Sequence, residues 1–313
     1  MSQIAGVDVG GTFTDLVLID GASGEVRLAK VPTTVDNQSF GVIAALAAGG
    51  VDLASLDAIV HGTTTTTNAM LERQIARVGL ITTRGFRDVV ELGRRTRPTP
   101  YGLTGRFVPL IRRDLRLEVD ERMDAQGRVL VALDEAGVAA AVHTLLERGA
   151  ESVVIHLLHS VVNPAHELRA GEIVRGLWPN GFVTVGHAVV AESREYERGV
   201  TAAVNAAVQP VLQRYIGRLQ GELAQRGYAG ELLVMQGNGG VVAASVVGEL
   251  AAHGFARELL VMQGNGGTVS AAIVAEHAVA TVMSGPASGV IAAAATAMQA
   301  GAFAGEFADV VTY

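Results

Sequence analysis

Residues 7–20, VDVGGTFTDLVLID, constrain this chain more than any other stretch. An apolar strand runs into Asp8-Val9-Gly10-Gly11-Thr12-Phe13-Thr14-Asp15 and straight out into a second strand. Two glycines at a strand-to-strand turn let backbone N–H groups approach a phosphate with no Cβ in the way, and the hydroxyls of Thr12 and Thr14 add donors. No helical pattern follows the glycines and no Gly-Lys-Ser/Thr is present, so the turn is neither a P-loop nor a dinucleotide-binding turn. Asp8, at the end of the first strand, is placed to hold Mg²⁺ against the phosphates, directly or through water. A tight Gly-Gly hairpin capped by threonines would account for the glycines alone. Asp and Thr on both sides of them point to a nucleotide.

At 313 residues the chain can build two domains with cores of their own, and a hydrophobic share of 49% with 18% charged residues suits an α/β protein. The net charge is −7 and no basic run carries interleaved aromatics, so nucleic acid is not an expected partner. There is no cysteine, which excludes disulfides and thiolate chemistry and fits a reducing compartment. The N-terminus enters a strand without a basic, apolar leader, and the apolar stretch 282–297 is short and interrupted by Gly285-Pro286. A cytoplasmic protein that neither crosses nor binds a membrane is the expectation.

Strand-like runs recur at 4–9, 15–19, 26–31, 58–61, 78–82, 152–159, 182–187 and 232–236, with helical periods at 37–48, 134–148, 164–177 and 193 to about 225. The first three strands, joined by short turns, read as an antiparallel meander ahead of the first helix. A β-β-β-α-β-α order is the ribonuclease-H-like half of an actin-like ATPase, a mixed sheet with flanking helices. Residues 94–116, with three prolines and seven arginines, break the pattern and read as a long surface excursion. Residues 115–133, with Asp124-Ala-Gln-Gly127 at the middle, read as a β-hairpin. Residues 221–243 return at 248–270 with six mismatches. Such a single duplication should leave one copy in the fold and the other displaced. The copy at 258–267 leads directly toward Ser284-Gly285-Pro286 and is the expected core strand, with 231–240 at an edge.

Taken in order, VDVGGTFTD, HGTTTTTNAM at 61–70, GLITTRGFRDVVELGR at 79–94, ESREYER at 192–198, MQGNGG and SGPASG at 284–289 make the chain similar to the hydantoinase/oxoprolinase family. Within that family it resembles the A-type members, which include N-methylhydantoinase, 5-oxoprolinase and the acetone and acetophenone carboxylases. The resemblance covers nearly the whole chain. It implies an actin-like ATPase that uses ATP and Mg²⁺ to phosphorylate a lactam or enolate oxygen before hydrolysis or carboxylation. It implies two segments, a family N-terminal domain over 1–190 and the start of a second ATPase domain over 191–313. The second phosphate hairpin of the family lies beyond Tyr313, so the second domain is expected to be incomplete. Cofactor contacts are then expected from Gly10, Gly11, Thr12, Thr14, Gly239, Gly240, Gly266, Gly267, Ser284 and Gly285.

The threonines after His61 should cap a helix beginning near Ala69, with Thr63 to Thr66, above all the catalytic candidates Thr64 and Thr65, pointing into the cleft. Asp8 is the metal candidate and, with Asp15, a catalytic candidate, Asp15 fixing the hairpin or helping to position the attacking group. His61 reads as a packed strand-end histidine. Arg84, Arg87 and Asp88 follow a strand end, where α/β sheets bind ligands, and could equally be a surface ion pair. Ser193 suits an N-cap, and Arg194 and Arg198 suit i,i+3 and i,i+4 pairing with Glu192, Glu195 and Glu197. The resemblance raises Arg194, Glu195 and Tyr196 to substrate candidates, and Arg84 joins them by its place at a strand end. Histidines 156, 159, 166 and 187 lack zinc-ligand spacing. The expected function is ATP-dependent hydrolysis of a cyclic amide of the hydantoin or 5-oxoproline class, with a companion B-type subunit. The alternatives are a component of a ketone carboxylase and a non-catalytic remnant that only binds a partner.

Overall fold

The computed structural model describes residues 3–34, 38–92, 108–235, 241–244, 260–262 and 268–270. Its strands are β1 Gln3–Val9, β2 Phe13–Asp20, β3 Val26–Pro32, β4 Leu56–Thr63, β5 Val78–Thr83, β6 Arg116–Val119, β7 Arg122–Met123, β8 Val129–Val131, β9 Ser152–His156, β10 Val183–Val185, β11 Glu231–Met235, β12 Val241–Ala243, β13 Leu260–Met262 and β14 Thr268–Ser270. Its helices are α1 Gln38–Ala48, α2 Thr65–Leu71, α3 Val89–Leu92, α4 Glu135–Glu147, α5 Ala165–Leu177, α6 Gly186–Val189 and α7 Glu195–Gln225. The chain divides into two compact units, residues 1–74 with 211–313, and 75–210.

The first unit is built on a six-stranded sheet ordered β12-β11-β4-β1-β2-β3. β1, β2 and β3 form the antiparallel meander, and β4 and β11 add parallel to β1 and β4 in turn. This is the ribonuclease-H-like, mixed α/β arrangement expected, with its fifth strand delivered after a 136-residue excursion through the second unit. Alternation sets the faces: Ala5, Val7, Val9, Leu16 and Leu18 are buried on one side of β1 and β2, where Gly41 of α1 lies against Thr14. The second unit is a parallel sheet, β10-β9-β5-β6, whose strands are buried nearly throughout and alternate with α4 and α5. Asp134 caps α4 by accepting from Gly137 N at 3.0 Å.

Several expectations are corrected here. Of residues 115–133, the first arm is β6, parallel to β5 at the edge of the second unit's sheet, and the hairpin is only β7 with β8. Arg116 is 1% exposed rather than part of a surface excursion. Its guanidinium is absorbed by Ile111 O at 2.9 Å, Asp88 Oδ1 at 3.0 Å and Glu91 Oε2 at 2.6 Å. The strand expected over 182–187 stops at Val185 and turns into α6. The helix α7 begins at Glu195, with Arg198 N donating to Arg194 O, so the cap position falls on Arg194 and not Ser193.

The duplication gives the largest correction. The first copy, not the second, supplies the core strand: β11 pairs with β4, and β13 and β14 form a separate two-stranded sheet. Both copies fold into the same hairpin, Leu233 opposite Ala243 and Leu260 opposite Ser270, in identical register 27 residues apart. The reason for the choice is Gly230. A Cβ there would stand 2.6 Å from the carbonyl oxygens of Leu56 and Asp57, and the second copy carries Arg257 at the matching position. Backbone atoms cannot yield as a flexible side chain can, so the second copy cannot lie against β4 in this way.

Candidate functional site

The turn between β1 and β2 is clamped from below. Gly10 N donates to Phe13 O at 3.0 Å, Thr33 N donates to Thr12 O at 2.9 Å, and Thr33 Oγ1 donates to Gly10 O at 2.9 Å. With its proton committed, Thr33 Oγ1 accepts from Thr14 Oγ1 at 3.0 Å. Thr14 is fully buried, so its expected place as a phosphate donor is corrected: it braces the turn from inside. The N–H groups of Gly11 and Thr12 make no hydrogen bond among the described residues. No heavy atom lies within 4 Å of where a Gly11 Cβ would stand, and its φ is not in the left-handed region. The fold itself does not demand glycine there, whereas an approaching anion would.

Asp8 and Asp15 lie on the sheet face opposite the buried Val7, Val9 and Leu16, directly opposed across the β1–β2 pair. Gly62 of β4 extends that row beyond Asp8 and Lys30 of β3 beyond Asp15. Two carboxylates so placed repel one another. Lys30 Nζ meets Asp15 at 2.9 Å while sitting 5.1 Å over the Phe13 ring, so the ammonium answers Asp15. Asp8, flanked by a glycine rather than a bulky neighbour, is an oxygen donor suited to a hard cation. Among the described residues no group of three or more His, Asp or Glu side chains could hold a metal alone. A cation at Asp8 would take its remaining ligands from water and phosphate, which is ordinary for Mg²⁺.

The threonine run is helical from Thr65, four residues before the expected start, and not all of it faces outward. Thr63 and Thr66 are buried, while Thr64 and Thr65 are half-buried. Thr64 N and Oγ1 reach Val9 O at 3.4 and 3.3 Å, tying this end of α2 to the strand that carries Asp8 and Gly10. Thr65 Oγ1 donates to Gln38 Oε1 and lies 2.7 Å from Thr63 Oγ1. Below them His61 is wholly buried: Nδ1 donates to Val7 O at 3.2 Å, so Nε2 accepts from Tyr215 Oη at 2.7 Å. Burial is the main cause that pushes His61 down to about 4, against the pull of the Val7 carbonyl, and it raises Tyr215 well above the usual phenol range. This neutral pair is structural, as expected of a packed strand-end histidine.

The structure thus gathers Asp8, Gly10, Gly11, Thr12, Thr64 and Thr65 at one end of the first unit's sheet. Gly239, Gly240, Gly266, Gly267, Ser284 and Gly285 lie outside the described residues. Arg84, Arg194, Glu195 and Tyr196 belong to the second unit. Arg84 is an exposed partner of Asp120 at 2.8 Å, and Arg194 and Glu195 are exposed at the start of α7. Arg198 is not a surface partner of its glutamate neighbours: it is 1% exposed and donates to Glu192 O at 2.6 Å and Leu157 O at 3.2 Å. Sequence reasoning missed the buried carboxylates Glu121 and Glu167, each bound to a histidine ring nitrogen. The one signal is for Glu167, a glutamate in the first turn of α5.

A family model described as the hydantoinase/oxoprolinase N-terminal region matches residues 4–177. A hydantoinase/oxoprolinase model matches residues 198–252 and again 243–309, one match for each copy of the duplication. These boundaries follow sequence continuity, whereas the compact units break at 74/75 and 210/211 because β11 returns to the first sheet. The chain is 40% identical over 256 residues to the acetophenone carboxylase gamma subunit of Aromatoleum aromaticum, covering 75% of this chain and 35% of that protein. It is 34% identical over 253 residues to the alpha subunit of the caprolactamase of Pseudomonas jessenii, covering 77% of this chain and 36% of the relative. The crystal structure of the ATP-dependent caprolactamase from Pseudomonas jessenii superposes with a TM-score of 0.75 at 31% identity, over 96% of this chain and 40% of that one. Nucleotide-free acetone carboxylase gives 0.70 at 27% identity, over 96% and 41%. The chain spans little more than a third of the length of these curated relatives. With more than half its residues matched by the N-terminal model, the chain belongs to the hydantoinase/oxoprolinase family.

Proposed function

We propose that the chain is the phosphate-binding portion of an ATP-dependent enzyme that activates a cyclic amide of the hydantoin or 5-oxoproline class by phosphorylating its carbonyl oxygen. The observation that carries the reading is the pair of N–H groups at Gly11 and Thr12 that make no hydrogen bond among the described residues, with open space where a Gly11 Cβ would stand and Asp8 next to the last residue of β1. Phosphoryl transfer asks for positioning and charge neutralisation more than covalent help. The Gly11 and Thr12 amides would hold phosphate oxygens, and Asp8 would hold Mg²⁺, which would neutralise charge on the phosphates. Asp15, held by Lys30, would keep the hairpin rigid, and Thr64 and Thr65 would present hydroxyls near the same turn. A second reading, a component of a ketone carboxylase, is favoured by the 40% identity to the acetophenone carboxylase gamma subunit. Both readings share ATP activation of a small carbonyl compound, and both expect a companion subunit, since the relatives carry subunit names.

Calorimetric titration with Mg-ATP tests the shared step. Saturable binding in the micromolar range, lost in Asp8→Ala, supports it; binding unchanged in Asp8→Ala would remove the hairpin from the site. Turnover of a hydantoin or 5-oxoproline against that of acetophenone with bicarbonate, assayed with a companion subunit, separates the two readings.

A further inference from the structure

In the second unit the chain passes from β5 to β6 on one side and then to β9 on the other, so the strand order reverses between β5 and β9. At such a switch point the crevice beyond the C-terminal strand ends is where open parallel sheets take ligands. Two buried carboxylates meet two imidazoles there. Glu121, after β6, accepts from Thr83 Oγ1 and from His166 Nδ1 at 2.8 Å, and Thr83 Oγ1 accepts from Leu158 N at 3.1 Å. Glu167, in the first turn of α5, accepts from Leu157 N at 2.7 Å, from His187 N at 2.9 Å, and from His187 Nδ1. Both glutamate side chains are wholly buried, while His187 and His166 keep 17% and 13% of their side chains exposed.

A purely structural tie would need neither a charge nor an imidazole; a buried carboxylate costs several kcal/mol that an amide would not. The arrangement does what an amide cannot. With Nδ1–H committed to Glu167, the neutral His187 ring carries its lone pair on Nε2, which has no partner among the described residues, and the carboxylate offsets the charge of the imidazolium. The charged and titratable groups nearest the pair are Arg198, which also feels Glu195 and Glu192, and His156, beside Glu167. Arg198 donates to Leu157 O, while Leu157 N donates to Glu167, and His156 packs between Gly186 and Gly199. Ser160, on the same loop as Leu157 and Leu158, is 2% exposed and its hydroxyl has no hydrogen-bond partner among the described residues.

We propose that the C-terminal edge of this parallel sheet binds a small carbonyl compound and that His187 is its proton acceptor. The bond between hydrogen and the amide nitrogen or the α carbon breaks as the proton joins Nε2. The electron pair passes onto the carbonyl oxygen, and Glu167 balances the positive ring. The oxyanion so formed is the nucleophile that attack on a phosphoryl group requires. Only that last step rests on the ATP reading proposed for the hairpin; binding and proton transfer do not.

The test is imidazole ¹⁵N NMR of the full chain at neutral pH, titrated with ε-caprolactam and separately with acetophenone, and with Mg-ATP as the control. His187 Nε2 is expected unprotonated, and at least one carbonyl probe is expected to shift it saturably while leaving exposed His143 unmoved. His187→Gln should reduce the affinity for that probe at least threefold and leave Mg-ATP binding unchanged. Glu167→Gln should move the Nε2 resonance toward the protonated or mixed-tautomer range. A protonated Nε2 in the parent chain, or resonances unmoved at saturating concentrations of both probes, overturns the proposal. Loss of Mg-ATP binding with probe binding intact would instead sink the reading of the hairpin.

Discussion

Tyr215 Oη donates to His61 Nε2 at 2.7 Å, the role left to that nitrogen once the Val7 carbonyl has fixed the tautomer of a histidine with no solvent access. His61 joins α7 to β4, and through Val7 O to β1, one residue before Asp8. Tyr215→Phe keeps the ring and removes the donor, leaving a buried acceptor unsatisfied. The expected cost is about 1–3 kcal/mol in chemical denaturation, with the far-UV spectrum retained. A loss below a few tenths would show that the bond does not form in solution.

Gly11 and Gly41 are opposite cases. Gly11 faces open space, so Gly11→Val should leave the unfolding midpoint nearly where it was while weakening Mg-ATP binding at least tenfold. A Cβ on Gly41 would stand 2.8 Å from Thr14 Oγ1, so Gly41→Ala should destabilise the chain by displacing the hydroxyl that braces the turn. Equal stability losses in the two variants would show that Gly11 is held by the fold and not by a ligand.

The meander, the helices α1, α4 and α5 and the hairpin were legible because each rests on local signals: period-2 alternation, a capping Asp134, a Gly-Gly turn. What escaped was decided by distant partners. β6 reads as a hairpin arm until β5 takes it, and Arg116 reads as surface until Asp88 and Glu91, more than twenty residues away, are folded around it. The glutamates at 121 and 167 look like ordinary surface residues in one dimension. Only the convergence of strand ends turns them into buried partners of His166 and His187.

The duplication offers a sharp contrast. Deleting 248–274 removes the copy outside the main sheet and should preserve cooperative unfolding. Deleting 221–247 forces Arg257 into the place of Gly230, against the Leu56 and Asp57 carbonyls, and should cost at least about 2 kcal/mol. Gly230→Arg in the full chain isolates the same clash. If both deletions were equally stable, the two copies would be interchangeable and the close backbone approach at Gly230 would not matter.

Acid should act on the core before it acts on the surface. His61 and His156 are both buried, and burial is the largest cause that takes each down to about 4 from 6.5. A histidine whose folded value is depressed binds its proton more readily when unfolded, so its contribution is complete above 6.5 and is lost as pH falls toward 4. Each represents on the order of 3 kcal/mol across that window. Glu167 adds to this later. Burial alone would raise it, but hydrogen bonds from the His187 ring and from the His187 and Leu157 N–H groups hold it below 4.5, so its contribution is lost only beneath that value. Urea unfolding at pH 7.5, 6.0 and 4.5 should therefore show little change above 6.5 and a steep fall below it. His156→Gln should flatten the fall by roughly half. Stability that is constant from 7.5 to 4.5 would mean that neither imidazole is held neutral in the core.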